Sequence, residues 1–370
     1  MKSPQYITDI DRIAELNQES RELLYPVTDK FTFRTNSYYN SLINWNDPDD
    51  PIRKIVIPSA DELSEYGQLD ASQDKQNQVA EGIEHKYPDS ALLLVNRVCG
   101  GYCRYCFRKR IFMRGNDEVS TDMTDAINYI RQHPEINNVI LSGGDPLIMS
   151  TEKIEKIIAP LREIDHVNTI RIGTKMVAYN PYRILHDEKF HAMVQKYSTR
   201  EKRIYIMSHF THPNEISDVA ISGVNLLYEL GARVLNQTPI LKGINDRVEV
   251  LNQLFNKLAS IGVQPYTILI CRPEEGNISF SLPIERAIEI FTQAKANCSG
   301  LARTAKLIMV PPLGKIEILG LKDDDILFRI HRPTDFASEG KIISFKRNPD
   351  AVWWSDFAET QNGTINYQEL

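Results

Sequence analysis

From Ala91 onward, short runs rich in Val, Ile and Leu alternate with longer amphipathic stretches. The apolar runs Ala91–Val95, Asn138–Leu141, Thr169–Ile172, Arg203–Met207, Arg233–Leu235 and Gln264–Ile270 predict strands. Helical spacing between them predicts helices over Met123–Gln132, Glu152–Ile164, Lys189–Lys196, Glu215–Leu230, Val248–Ile261 and Ile284–Ala296. Units of roughly thirty to forty-five residues are βα units. Six in succession predict a parallel α/β sheet, and the pattern alone leaves a partial barrel and a doubly wound sheet both open. After Gly300 the runs Leu307–Val310, Lys315–Leu319, Ile326–Ile330 and Lys341–Phe345 predict short strands joined by Gly and Asp turns, as an antiparallel cap. Before Ala91 the chain is polar with helix-like stretches. Asp47-Pro48-Asp49-Asp50-Pro51 signals a turn, and Gln68 to Glu84 reads as a surface connection. The expected organisation is a helical region over 1–90, the βα series over 91–300 and a β-rich extension over 301–370.

The 370 residues are 42% apolar and 25% charged, which excludes a disordered chain or a fibre. Lys plus Arg is 43 and Asp plus Glu is 49, so the net charge is −6. That balance disfavours bulk binding to nucleic acid or to an anionic membrane. No signal-like N-terminal stretch and no apolar run of spanning length is visible, so a cytoplasmic location is the expectation.

Of five cysteines, three lie in Cys99-Gly-Gly-Tyr-Cys103-Arg-Tyr-Cys106. An odd count with such clustering argues for metal ligation over disulfides. The loop directly follows the first strand candidate, and the C-terminal ends of parallel strands are where ligands bind. Three thiolates on one loop suit a four-iron four-sulfur cluster with one iron left for a substrate, or a zinc ion with a fourth ligand from Cys271, Cys298 or His209. Ser142-Gly143-Gly144-Asp145-Pro146, after the second strand, is a turn in which backbone can approach a ligand closely.

The CxxxCxxC spacing in this setting resembles the radical S-adenosylmethionine superfamily. In that superfamily an aromatic residue such as Tyr105 lies against the adenine, and a turn such as Ser142, Gly143, Gly144 and Asp145 meets the amino end of S-adenosylmethionine. More narrowly, the chain resembles the lysine 2,3-aminomutase family, including its glutamate-acting relatives, from Tyr38 to Gly320. The matching stretches include Asp47-Pro-Asp-Asp-Pro-Ile-Arg-Lys, His85-Lys-Tyr-Pro-Asp, Tyr102-Cys-Arg, Leu141-Ser-Gly-Gly-Asp, Arg171-Ile-Gly, His209-Phe-Thr-His-Pro-Asn-Glu and Asn236-Gln-Thr-Pro-Ile-Leu-Lys-Gly. The resemblance implies a partial TIM-like (β/α)6 barrel and an isomerase that moves an amino group from the α- to the β-carbon of an amino acid. It implies a 4Fe-4S cluster on Cys99, Cys103 and Cys106, S-adenosyl-L-methionine, pyridoxal 5'-phosphate, and a reducing electron donor of flavodoxin or ferredoxin type.

By the same resemblance, Lys315 in Pro311-Pro-Leu-Gly-Lys is the pyridoxal phosphate lysine. Arg108 pairs with the substrate α-carboxylate, and Gln237 and His209 lie near the adenosyl ribose. Lys86 stands where the family has a phosphate-side arginine. Ser90 replaces a second basic residue, so phosphate anchoring there must differ. The lysine enzyme holds its substrate's distal ammonium with two aspartates, the first just after a cysteine on the sixth strand. Arg272 follows Cys271 here, and the second position falls at Ile308 or Met309. Like charge against a lysine ammonium is costly in a dry site. The expected substrate is therefore glutamate or aspartate. The alternatives are action on another or a protein-bound amino acid, or non-mutase radical chemistry. No cysteine follows Cys298, and Arg247 stands at the first cysteine of the family's zinc-linked interface, so any homo-oligomer is expected to lack that zinc.

Overall fold

A computed structural model describes residues 3–113, 115–334 and 336–358. Strands β1 (Tyr6–Ile7) and β2 (Thr35–Asn36) form a small antiparallel ribbon. The other described strands join one sheet whose spatial order follows the chain. They are β3 (Gln78–Ala80), β4 (Ile83–Tyr87), β5 (Ser90–Asn96), β6 (Asn138–Gly143), β7 (Thr169–Thr174), β8 (Ile204–Ser208) and β9 (Arg233–Ile240), then β10 (Gln264–Ile270), β11 (Lys306–Met309), β12 (Gly314–Lys322), β13 (Asp325–Pro333) and β14 (Ile342–Lys346).

From β5 to β11 every neighbouring pair is parallel. The six predicted strands are present, joined by helices at Thr124–Gln132, Thr151–Arg162, Glu188–Tyr197, Asp218–Glu229 and Val248–Ser260. This is the partial TIM-like barrel. Two expectations are corrected. The run at Leu307–Val310 was expected in the antiparallel cap, but β11 pairs in parallel with β10, because the helix Ile284–Ala296 carries the chain back to the starting edge. After β11 the pairing turns antiparallel, starting with β12. The stretch Gln68–Glu84, expected as a surface connection, contains β3 and the start of β4, which extend the sheet beyond β5.

Alternation within the parallel strands separates two environments. Ala91, Leu93, Val139, Leu141, Ile170, Ile172, Ile204 and Ile206 are fully buried against the helices. Their neighbours Leu92, Ile140, Arg171, Tyr205, Leu235 and Gln237, on the opposite face, are half-buried. That face lines the barrel interior. The two ends of the sheet meet through side chains: Arg332 of β13 forms an ion pair with Asp89, between β4 and β5, and Ser72 Oγ donates to Val310 O at 2.6 Å. No helix among the described residues is long and apolar enough to cross a membrane.

Candidate active site

The cysteine loop leaves the end of β5 and is clamped from below. Arg104, 2% exposed, donates from Nε and Nη2 to the two oxygens of Glu62, each at 2.8 Å. Lys109 Nζ reaches the same carboxylate at 3.3 Å. Cys103 Sγ lies 3.1 Å from Tyr179 Oη. Burial raises all three thiols, Cys106 to about 11, and neighbouring thiols further raise Cys99 and Cys106. Among the described residues, no three His, Cys, Asp or Glu side chains are gathered around a single-ion site. A cuboidal cluster asks for wider spacing, since each thiolate takes a separate iron, and it supplies the charge that keeps a coordinating thiol deprotonated. The donor set fits that group.

The Gly-rich turn after β6 packs directly on this loop. Gly144 N donates to Asn96 O at 2.7 Å, and a Cβ on Gly144 would lie 2.4 Å from Val98 O. Gly143 has φ +100°. The Asp145 carboxylate is wholly committed to shaping the turn: it accepts from Leu147 N, Thr174 Oγ1, Lys175 N and Met176 N at 2.7 to 3.2 Å. Ser142 Oγ accepts from Arg108 Nη1 at 2.8 Å. Tyr105 is buried, its Oη 2.7 Å from Thr211 Oγ1 and 3.1 Å from His209 Nε2. His209 is pushed well below the ordinary histidine range by burial, then by Lys175, so its ring is neutral. Strand register puts Gln237 on the interior face, two residues beyond Leu235, the partner of Met207.

A second group of charges lies across the barrel. Arg108 and Arg272 have their guanidinium carbons 4.6 and 4.1 Å from the centroid of the Phe107 ring. Arg272 follows β10 and donates from Nη1 to Asp74 Oδ2 at 2.7 Å, while Lys86 Nζ lies 3.6 Å from Asp74 Oδ1. Burial raises the Asp74 carboxyl, but Arg272 and Lys86 outweigh it and hold it well below the carboxylate range. Lys86 also reaches Ser72 O and Pro311 O. Arg272 thus pairs with Asp74 and not with Glu274, which accepts from Ala71 N, or Glu275, which pairs with Lys30. Ile308 and Met309 are buried and apolar. Lys315 is half-buried on β12, where desolvation of the amine, then Arg171, Arg332 and Arg272, pull it down to about 7.

The structure brings together the three cysteines, Ser142, Gly143, Gly144, Tyr105, Arg108 and His209 at one end of the strands, with Lys86, Arg272 and Lys315 facing them. Sequence reasoning missed Asp74, Glu84 and Arg332. It also missed the network below Tyr105, where Lys175 Nζ lies 2.6 Å from Glu215 Oε1 and Tyr39 Oη donates to the same oxygen at 2.6 Å. The only sequence signal for Glu215 was its place in the His209-Phe-Thr-His-Pro-Asn-Glu stretch.

A three-thiol loop at the mouth of a partial barrel, backed by a Gly-Gly turn, defines a radical S-adenosylmethionine enzyme. Residues 93–254 match the Radical SAM superfamily. The chain is 51% identical, over 97% of its length and 96% of the relative's, to a protein of Aquifex aeolicus (strain VF5) that carries L-lysine 2,3-aminomutase as a provisional name. It is 36% identical to the L-lysine 2,3-aminomutase of Clostridium subterminale, over 80% of this chain and 70% of that one. It is 31% identical to the glutamate 2,3-aminomutase of Clostridioides difficile (strain 630), over 93% and 81% of the two chains. The chain belongs to the lysine 2,3-aminomutase family, and it is an isomerase of the 2,3-aminomutase class.

Proposed function

We propose that this enzyme moves the amino group of an acidic amino acid, glutamate or aspartate, from the α- to the β-carbon, with pyridoxal phosphate carried on Lys315. The single observation behind the substrate is Arg272. It occupies the place where the family's lysine enzyme has an acid, and it shares the Phe107 ring with Arg108. Two guanidinium groups beside one ring suit the two carboxylates of one small molecule, because the planar fork binds a carboxylate through paired hydrogen bonds. A lysine substrate would bring a third cation to this place. Asp74, the acid beside it, is already held by Arg272 and Lys86.

When bound, the cluster and S-adenosylmethionine supply one-electron cleavage to a hydrogen-abstracting carbon radical, and pyridoxal phosphate supplies a carrier for the migrating nitrogen. The chain's own residues do the rest. Cys99, Cys103 and Cys106 hold three irons, and Gly143 and Gly144 keep the backbone close enough to the loop for a ligand's amino end. Tyr105, fixed by Thr211 and His209, offers its ring to the adenine, and Gln237 and His209 flank the ribose. Lys315, whose amine is largely neutral just above pH 7, would hold the cofactor through that nitrogen. Arg108 and Arg272 would hold the substrate's carboxylates and so fix its orientation. Cluster reduction calls for a one-electron donor of the flavodoxin or ferredoxin class, in a reducing compartment such as the cytoplasm.

Amino acid exchange at Lys315 tests the substrate reading before any radical is made. Adding glutamate or aspartate to the pyridoxal phosphate-loaded protein is expected to release Lys315 from borohydride trapping, whereas lysine leaves it trapped. Release by lysine alone would reject the acidic substrate.

A further inference from the structure

A second concentration of positive charge surrounds Lys315, and no ligand has yet been assigned to the arginines in it. Lys315 and Arg332 are register partners across β12 and β13. Both project over one ring: Lys315 Nζ lies 6.0 Å and the Arg332 guanidinium carbon 4.6 Å from the centroid of Tyr87. Like charges directly opposite on a ladder oppose folding. Arg171, from β7 across the barrel, adds a third cation that acts on Lys315. The acid that faces them is Asp89, paired with Arg332 and 45% exposed.

These cations are tied together by neutral groups. Arg332 Nη2 donates to Ser90 Oγ at 2.8 Å, and Asn138 Nδ2 donates to the same hydroxyl at 3.0 Å. Arg171 Nε donates to Asn138 Oδ1 at 3.1 Å. Two donors are left over. Arg171 Nη2 and Tyr87 Oη are both buried without a hydrogen-bond partner. Buried donors are nearly always paired, so two orphans flanking three cations point to a missing acceptor of negative charge. The acceptor must meet donors from β4, β7 and β13 at once. A tetrahedral phosphate, with oxygens directed to several sides, meets that demand better than a planar carboxylate.

We propose that Arg332, Arg171 and Tyr87, gathered over Ser90, form the phosphate-binding subsite of the cofactor that Lys315 holds. This rests on the pyridoxal phosphate reading above and deepens it. Ser90 carries no charge where the family resemblance implies a basic side chain, and Lys86 is spent on Asp74 and two carbonyls. Arg332 reaches in from a strand 242 residues further along the chain and brings the missing charge onto that serine. Asp89 holds the guanidinium in place and competes with the phosphate for it.

The test compares pyridoxal phosphate with pyridoxal, which lacks the phosphate, in titrations of the cofactor-free full chain. Binding is read by absorbance and by borohydride fixation on Lys315. The wild-type protein is expected to prefer pyridoxal phosphate, and inorganic phosphate is expected to compete with it but not with pyridoxal. Titrated at a pH above the Lys315 midpoint of each protein, Arg332→Gln and Arg171→Gln each weaken pyridoxal phosphate binding by about tenfold or more, as loss of charge-assisted hydrogen bonds implies, and leave pyridoxal binding unchanged. Asp89→Asn removes the competing carboxylate and tightens pyridoxal phosphate binding, the opposite sign from fold damage. Equal losses for both ligands in the arginine variants, or an undiminished phosphate preference in them, overturn the subsite. If the arginine variants do not fold, weaker pyridoxal phosphate binding by Asp89→Asn overturns it. A wild-type protein that captures neither compound on Lys315 removes the cofactor reading itself, a failure visible before any variant is compared.

Discussion

Arg108 and Arg272 share one aromatic ring, with guanidinium carbons 4.6 and 4.1 Å from the centroid of Phe107. They come from opposite sides of the barrel, one just after the cysteine loop and the other after β10. Asp74 anchors the second through Nη1. Two cations held this close in a buried place repel each other unless anions join them. Asp74 already joins Arg272, and in the substrate reading proposed above the pair also receives the two carboxylates of the amino acid.

That arrangement predicts an asymmetric response to mutation. Arg272→Gln should raise KM for the acidic substrate by about tenfold or more, as loss of a charge-assisted pair implies. It should leave reductive cleavage of S-adenosylmethionine in the absence of amino acid unchanged, because Arg272 lies away from the thiols. Steady-state kinetics with a parallel assay for methionine release checks both. Equal loss of both activities would place Arg272 in the cluster machinery instead.

The cysteine loop depends on Glu62, a fully buried carboxylate that takes two hydrogen bonds from Arg104 and one from Lys109. Removing one partner of a buried pair strands the other charge. Glu62→Gln is accordingly expected to destabilise the fold by about 3 kcal/mol or more. Denaturant midpoints measure that cost, and iron content measured alongside should fall.

Iron itself gives a second check on the loop. Anaerobically reconstituted wild-type protein should hold roughly three to four irons with matching sulfide, and Cys103→Ala should lose most of them. Gly144→Ala should have a similar effect without touching a ligand, since its Cβ would lie 2.4 Å from Val98 O. Stoichiometric zinc without iron would contradict the cluster assignment.

Lys315 sets a pH dependence whose sign follows from its surroundings. Burial, then Arg171, Arg332 and Arg272, lower its amine to about 7, against an unperturbed value near 10.4. The neutral, nucleophilic form therefore gains population as pH rises through about 7, not through about 10. Capture of pyridoxal phosphate, fixed by borohydride at each pH, should show a midpoint near 7. Arg332→Gln removes a like charge and should move that midpoint upward. A wild-type midpoint near 10 would mean that Lys315 is solvated.

Local features of the chain carried most of the fold and the cluster loop. Alternating apolar runs and amphipathic stretches fix βα units because each strand must bury one face under a helix. The cysteine spacing is legible because its ligands sit within one loop. Strand direction was less so: Lys306–Met309 reads as a strand from composition, but its parallel pairing follows only from the helix Ile284–Ala296 that precedes it. Asp74 was invisible, since it lies in a polar stretch and is buried only because Arg272 reaches it from 198 residues away. Glu84 is similar. Burial pushes its carboxyl up to about 7, with Arg108 opposing, and nothing in Gly82-Ile83-Glu84-His85 foretells that. Partner choice over such separations depends on how the barrel closes, which no local pattern encodes.

The product of the reaction tests the account most directly. The reconstituted protein, supplied anaerobically with S-adenosylmethionine, pyridoxal phosphate and dithionite, should be offered glutamate, aspartate and lysine separately, and each mixture analysed for β-amino acid. β-Glutamate or β-aspartate, with no β-lysine, is the expected result. β-Lysine formed with neither acidic product would contradict the role given to Arg272 and, with it, the reading of the whole charged interior.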